Sequence, residues 1–147
     1  MKIYPVYSDI DVFESTYNLT KNVKLNGAIV ECGVAAGSNF AQMIKASMDS
    51  GIDRLYYGFD SFKGIPYATK EDDQQPGMVE VNKDKYGLLE STGISSHSKE
   101  NVIQSLKQWD VWNDNIKLIE GWFQDTVPLN DIDSIAVLRL DGDLYEC

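Results

Sequence analysis

The stretch Ala28-Ile29-Val30-Glu31-Cys32-Gly33-Val34-Ala35-Ala36-Gly37-Ser38 decides the fold. A short, mostly apolar run stops at a glycine, a second glycine follows four positions later, and a serine then opens a segment with apolar side chains at Phe40, Met43, Ile44 and Met48. That spacing predicts a helix with one buried face, capped by Ser38 and ending near Ser50-Gly51. A second apolar run, Leu55-Tyr56-Tyr57-Gly58-Phe59, ends at Asp60. The link between the two runs is too long for a hairpin and suits a helical crossover, so the strands are expected to be parallel.

Outward from this core the same reading continues. Apolar spacing at Val102, Ile103, Leu106 and Trp109 predicts another helix, starting at a Ser96 or Ser98 cap. Two further strands are expected at Ile116-Lys117-Leu118-Ile119 and at Ile135-Ala136-Val137-Leu138-Arg139-Leu140. Upstream, Ile10, Phe13, Tyr17 and Leu19 suggest an amphipathic helix from Asp9 to Leu19. Residues 63–98 carry Gly64, Pro66, Pro76, Gly77, Gly87 and Gly93 with no sustained period, and read either as an active-site lid or as a mobile insertion. The order is β-α-β-loop-α-β-β, an α/β chain read as a single domain over 1–147.

The composition narrows the function classes. The 147 residues include 23 acidic and 13 basic side chains, for a net charge of -10, with 43% hydrophobic and 11% aromatic residues. Such a chain can bury a core and is too apolar for disorder, and no run reaches the roughly eighteen uncharged apolar residues of a membrane span. The scattered Lys and Arg and the negative charge argue against nucleic acid and anionic membrane surfaces as partners. Two cysteines, Cys32 and Cys147, make no disulfide framework, and Met1-Lys2-Ile3-Tyr4-Pro5 lacks a signal-peptide pattern, so a cytoplasmic setting is expected.

In an open parallel sheet, ligands bind beyond the carboxyl ends of the strands, which here are polar. Gly33 and Gly37 allow a sharp turn and close ligand approach, but the spacing is neither a dinucleotide fingerprint nor a phosphate-gripping loop. A tight turn without a ligand fits it as well as a nucleoside site does. Asp60 ends the second strand, where a carboxylate can accept from both ribose hydroxyls or simply cap a loop. Together the glycine turn and Asp60 describe a nucleoside pocket. Gly121-Trp122-Phe123-Gln124-Asp125-Thr126 sets an apolar surface beside a polar edge, suited to adenine or to the core. Asp141-Gly142-Asp143 places two carboxylates together, suited to a divalent cation, to a general base, or to an acidic loop.

Four motifs in order carry a resemblance. Val30-Glu31-Cys32-Gly33-Val34 with Gly37-Ser38, Gly58-Phe59-Asp60-Ser61-Phe62-Lys63-Gly64-Ile65-Pro66, Gly121-Trp122-Phe123-Gln124-Asp125-Thr126-Val127-Pro128, and Leu138-Arg139-Leu140-Asp141-Gly142-Asp143-Leu144-Tyr145-Glu146 resemble the macrocin O-methyltransferase (TylF) family. The resemblance spans most of Gly27 to Cys147 and implies a Rossmann-like class I methyltransferase fold that uses S-adenosylmethionine, with Mg²⁺ assistance, on a sugar hydroxyl. It implies that Glu31, Gly33, Gly37 and Ser38 line the methionine and ribose side of the cofactor. Asp60 would hold the ribose hydroxyls with Ser61 beside it, and Trp122 and Asp125 would border adenine. Asp141 would be a Mg²⁺ ligand, and Asp143 the general base.

One feature departs from the family. There the metal site is completed by an acidic pair on a later strand, whereas this sequence stops four residues after Asp143. About four of seven strands are expected, as in a fragment of a longer frame or a shortened relative, with the remaining Mg²⁺ ligands outside the chain. The fourth strand would then be an apolar edge, and a homo-oligomer covering it is expected. Two other readings are a metal-dependent nucleotide-sugar glycosyltransferase or a dehalogenase-type phosphatase using the Asp-Gly-Asp pair, and a non-catalytic nucleoside-binding or oligomer-forming module. His97 reads as a loop or capping residue, Glu71-Asp72-Asp73 as a solvated run, Cys32 as core, and Tyr56, Tyr57, Trp109 and Trp112 as packing.

Overall fold

A computed structural model describes residues 10–72 and 82–145. Its elements are α1 (Ile10–Asn22), β1 (Ala28–Cys32), α2 (Ser38–Ser50), β2 (Tyr56–Asp60), α3 (Lys99–Gln108), β3 (Ile116–Glu120), α4 (Phe123–Thr126) and β4 (Ile135–Leu140), with short 3₁₀ turns at Lys83–Lys85 and Val127–Leu129. The four strands form one parallel sheet in the order β3-β2-β1-β4. The chain thus runs outward from β1 through β2 to β3, then returns to place β4 on the other side of β1. This is the α/β fold expected from the sequence.

Burial follows position in the sheet. β1, flanked on both sides, is buried at every residue, which is why its sequence is a continuous run and not an alternation. The outer strand β3 alternates, and β4 does so from Val137 onward. On one face, Ile29, Tyr56, Leu118 and Val137 pack with Phe13 of α1, Phe40, Met43 and Ile44 of α2, and Val102 and Leu106 of α3. The opposite face gathers Val30, Cys32, Tyr57 and Phe59 with Ile119, Phe123 and Ile132. Tyr56, Tyr57, Trp109 and Cys32 are buried as expected, while Trp112 is 39% exposed because it follows the end of α3 and reaches solvent.

Several local expectations need correction. Ser38 does not cap α2; the cap position is Gly37, in the left-handed region at φ 87°, and Ser38 is the first helical residue, buried. The left-handed turn needs a glycine more than it needs a side-chain acceptor. By contrast Ser98 does cap α3, its Oγ accepting from the Asn101 N–H at 3.2 Å. Helix α1 runs to Asn22, and Leu19 lies off its buried stripe at 62% exposure, with Thr20 buried in its place. Residues 63–72 and 82–98 are not patternless in space. Ile65 N–H donates to Ile94 O (3.0 Å), Thr92 N–H to Ile65 O (2.9 Å) and Gly87 N–H to Ala68 O (3.1 Å), with a bridge between Pro66 and Ser91. The two legs of the insertion pair with each other, and Asp73, Pro76 and Gly77 lie outside the described residues.

No helix among the described residues is long and apolar enough to cross a membrane. Along β4, Leu138 is 51% and Leu140 70% exposed, and among the described residues the strand pairs only with β1.

Candidate active site

A cavity of about 440 Å³ opens at the carboxyl ends of the strands. Its base is made by Gly33 and Ala35 after β1, Asp60 and Ser61 after β2, Gly121 to Gln124 after β3, and Asp141 to Leu144 after β4. Its other wall is the insertion, through Ile65, Pro66, Tyr67, Thr69, Leu89 and Ser95 among others. The volume lies within the few hundred Å³ of small-molecule sites.

Gly33 is what lets two of these strand ends meet. It sits at φ 91°, and a Cβ there would overlap the backbone carbonyl oxygen of Asp141. The Asp141 N–H donates to Cys32 O at 2.9 Å, so β4 delivers its acidic turn directly against the end of β1. Three cavity-lining residues other than glycine, Ala35, Ser95 and Asp143, also have positive φ, a strain that clusters where a ligand would sit.

Asp60 organises the turn after β1. One carboxylate oxygen accepts from the Val34 and Ala35 N–H groups at 2.8 and 2.9 Å, and the other from Phe62 N–H at 2.8 Å. A carboxylate offers about four acceptor positions, so about one remains for a ligand facing the cavity. Ser61 Oγ donates to Gly64 O (2.8 Å) and accepts from Lys63 N–H (3.1 Å), shaping the entrance to the insertion.

Glu31 is fully buried under the helices. Its Oε1 accepts from Arg139 Nη1 at 2.7 Å, and Arg139 Nη2 donates to Asp141 Oδ2 at 2.8 Å, so one guanidinium ties a buried carboxyl to a cavity-lining one. Register explains the meeting: Glu31 and Arg139 are paired residues of β1 and β4, on the same face. Burial pushes the Glu31 carboxyl up to about 8, against the opposing pull of Arg139. Asp143 is exposed at the cavity rim. Its carboxyl is held above the usual aspartate value by partial burial, then by the charges of Asp141 and Asp60, which outweigh Arg139.

Of the residues singled out from sequence, Gly33, Asp60, Ser61, Trp122, Asp141 and Asp143 line this one cavity. Glu31, Gly37, Ser38 and Asp125 do not line it. Glu31 acts inward on Arg139, Gly37 and Ser38 form the start of α2, and Asp125 is exposed on α4. Two polar residues escaped the sequence reading. Arg139 could have been found as the one cation in an apolar strand, matched to the one anion in another. Asp72, read as part of a solvated run, instead accepts from Thr69 N–H, Thr69 Oγ and Tyr145 N–H.

No group of three His, Cys, Asp or Glu among the described residues could hold a metal ion, and one oxygen of Asp141 already serves Arg139. Asp141 and Asp143 bring two carboxylates to the cavity, and Mg²⁺ commonly takes one or two with water completing its shell, so they could supply part of such a coordination.

The family described as Macrocin-O-methyltransferase (TylF) matches residues 9–147. The chain is 34% identical over 121 residues to demethyldecarbamoylnovobiocin O-methyltransferase of Streptomyces niveus, covering 82% of this chain and 44% of that protein. It is likewise 34% identical over 121 residues to mycinamicin III 3''-O-methyltransferase of Micromonospora griseorubida, covering 81% and 45%. The structure of the O-methyltransferase NovP superposes with a TM-score of 0.75 at 28% identity, covering 93% of this chain and 55% of that one. The chain therefore spans less than half the length of the curated relatives it matches. Nothing among these relatives favours a glycosyltransferase.

Proposed function

The chain belongs to the macrocin O-methyltransferase (TylF) family, and from that premise we propose that it binds S-adenosylmethionine at its strand ends and takes part in methylating a hydroxyl group, that of a sugar unit on a small-molecule acceptor. The observation that carries this reading is the convergence of Asp60, Trp122 and Asp143 on one cavity, with the glycine turn after β1 at its base. An aromatic surface for a purine, an acidic acceptor for a ribose hydroxyl and a carboxyl group with a raised proton affinity are the groups this chemistry needs.

Bound there, S-adenosylmethionine would supply a methyl group activated by its sulfonium charge. The residues of the chain do the rest. Asp60 fixes the turn after β1 through the Val34 and Ala35 N–H groups and keeps about one acceptor position for a ribose hydroxyl. Trp122 and Phe123 offer flat apolar surface. The carboxylates of Asp60, Asp141 and Asp143 favour a cationic ligand over an anionic one. Asp143, whose proton affinity is raised by partial burial and by the charges of Asp141 and Asp60, accepts the proton of the acceptor hydroxyl as that oxygen takes the methyl group.

Calorimetric titration of S-adenosylmethionine tests the reading. Saturable binding is expected, and Asp60→Asn should weaken it by about tenfold or more, because an amide gives up the charge and keeps one acceptor oxygen for either the Phe62 N–H or the Val34 and Ala35 N–H groups, not for both, while the circular dichroism spectrum is retained. Manganese-dependent binding of a UDP-sugar with no binding of S-adenosylmethionine would overturn it.

A further inference from the structure

Asp72 joins two segments that are 73 residues apart. One oxygen of its carboxylate accepts from Thr69 N–H (2.7 Å) and Thr69 Oγ (2.8 Å) within the insertion, and the other accepts from Tyr145 N–H (2.8 Å), just beyond the acidic turn after β4. Thr69 lines one wall of the cavity, and Asp141 to Leu144 line the other. The acidic turn is thereby held at both ends. Asp141 N–H is fixed on Cys32 O of β1, Tyr145 N–H is fixed on Asp72, and only Gly142, Asp143 and Leu144 lie between. Asp143 sits inside this short span at φ 64°, a conformation that a non-glycine residue holds only when its surroundings impose it. Leu144, buried at the cavity wall, closes the span.

We propose that Asp72 is a positioning residue for the catalytic turn: its carboxylate clasps the insertion to the backbone after β4, fixing the strained segment that presents Asp143 to the acceptor. The catalytic consequence rests on the reading of this site as a methyltransferase site; the clasp itself does not. Both oxygens are needed, since each serves a different segment. An asparagine offers a single acceptor oxygen and can keep the Thr69 side or the Tyr145 side, not both.

The full chain tests this with Asp72→Asn and Asp72→Ala, read by amide hydrogen exchange and by methyl transfer to a glycoside acceptor. Exchange at Tyr145 and Leu144 should quicken about tenfold in Asp72→Ala, with Asp72→Asn between it and the parent, while exchange in β1 and α2 is unchanged. Methyl transfer should lose kcat by about tenfold or more with KM for S-adenosylmethionine changed less than threefold, because displacement of a reacting group costs turnover before it costs binding. Unchanged exchange at Tyr145, or quicker exchange with unaltered kcat, would overturn the proposal. A parent chain that binds no S-adenosylmethionine and transfers no methyl group while the variants still loosen Tyr145 would leave the clasp standing and count against the proposed site, separating the two. If Asp72→Ala unfolds, Asp72→Asn gives the same exchange test at Tyr145.

Discussion

Glu31 is a carboxyl group with no solvent around it and one strong partner, Arg139. Its second oxygen accepts no hydrogen bond among the described residues. Burial raises its proton affinity more than Arg139 lowers it, moving it from an ordinary value near 4.5 to about 8. The folded state thus holds this proton more tightly than the unfolded state. The associated stability is fully present below about pH 4.5 and is lost as pH rises through about 8. Denaturant titrations across this window should show that decline, by at least about 1 kcal/mol, and Glu31→Gln should remove it while keeping an acceptor for Arg139. A decline that is the same in both proteins would place its origin elsewhere.

At the level of elements, the junction of β1, its glycine turn and the end of β4 is the tightest point near the cavity. Gly33→Ala adds a Cβ into a backbone carbonyl at φ 91°, so the strands must separate. The expected cost is at least about 3 kcal/mol, summing a left-handed backbone and a steric clash. Gly51 has a similar φ, 73°, but nothing within 4 Å of where its Cβ would lie. Gly51→Ala should cost only about 1 kcal/mol. Thermal denaturation of the pair separates backbone strain from strand approach, and equal losses would remove the special role of the β1–β4 contact. The insertion carries a different lesson at this scale. Its two legs pair through irregular backbone hydrogen bonds and not through a regular ladder, so no period of two or 3.6 marks them, and a reading built on period finds only punctuation.

The whole molecule places its charge unevenly. Part of the acidic excess behind the net charge of -10 sits at the strand ends, where Asp60, Asp141 and Asp143 face one cavity, with Arg139 bonded to Asp141 beside it. On the opposite side of the sheet order, β4 exposes Leu138 and Leu140 along a strand paired on one side only among the described residues. An apolar, half-paired edge seeks a partner, and the proposed partner is a second copy of this chain. Light scattering at micromolar concentration should report a dimer or larger species, and Leu138→Lys with Leu140→Lys should shift it to monomer. A monodisperse parent monomer would count against this.

How much of this the sequence determined follows from the range of the forces involved. Strand positions, the helix between β1 and β2, the Ser98 cap and the strand-end polar residues are local matters of alternation, spacing and capping, and each could be read from a few neighbouring residues. The family motifs, being short and ordered, were legible in the same way. The tertiary structure alone decided that β4 lies beside β1, that Arg139 meets Glu31, that Asp141 closes on Gly33, and that Asp72 reaches Tyr145. These contacts join segments far apart in the chain, and what selects them is the burial of whole faces and the pairing of distant backbone groups. A local pattern can mark Arg139 and Glu31 as lone charges in apolar strands, but it does not record that those strands lie side by side.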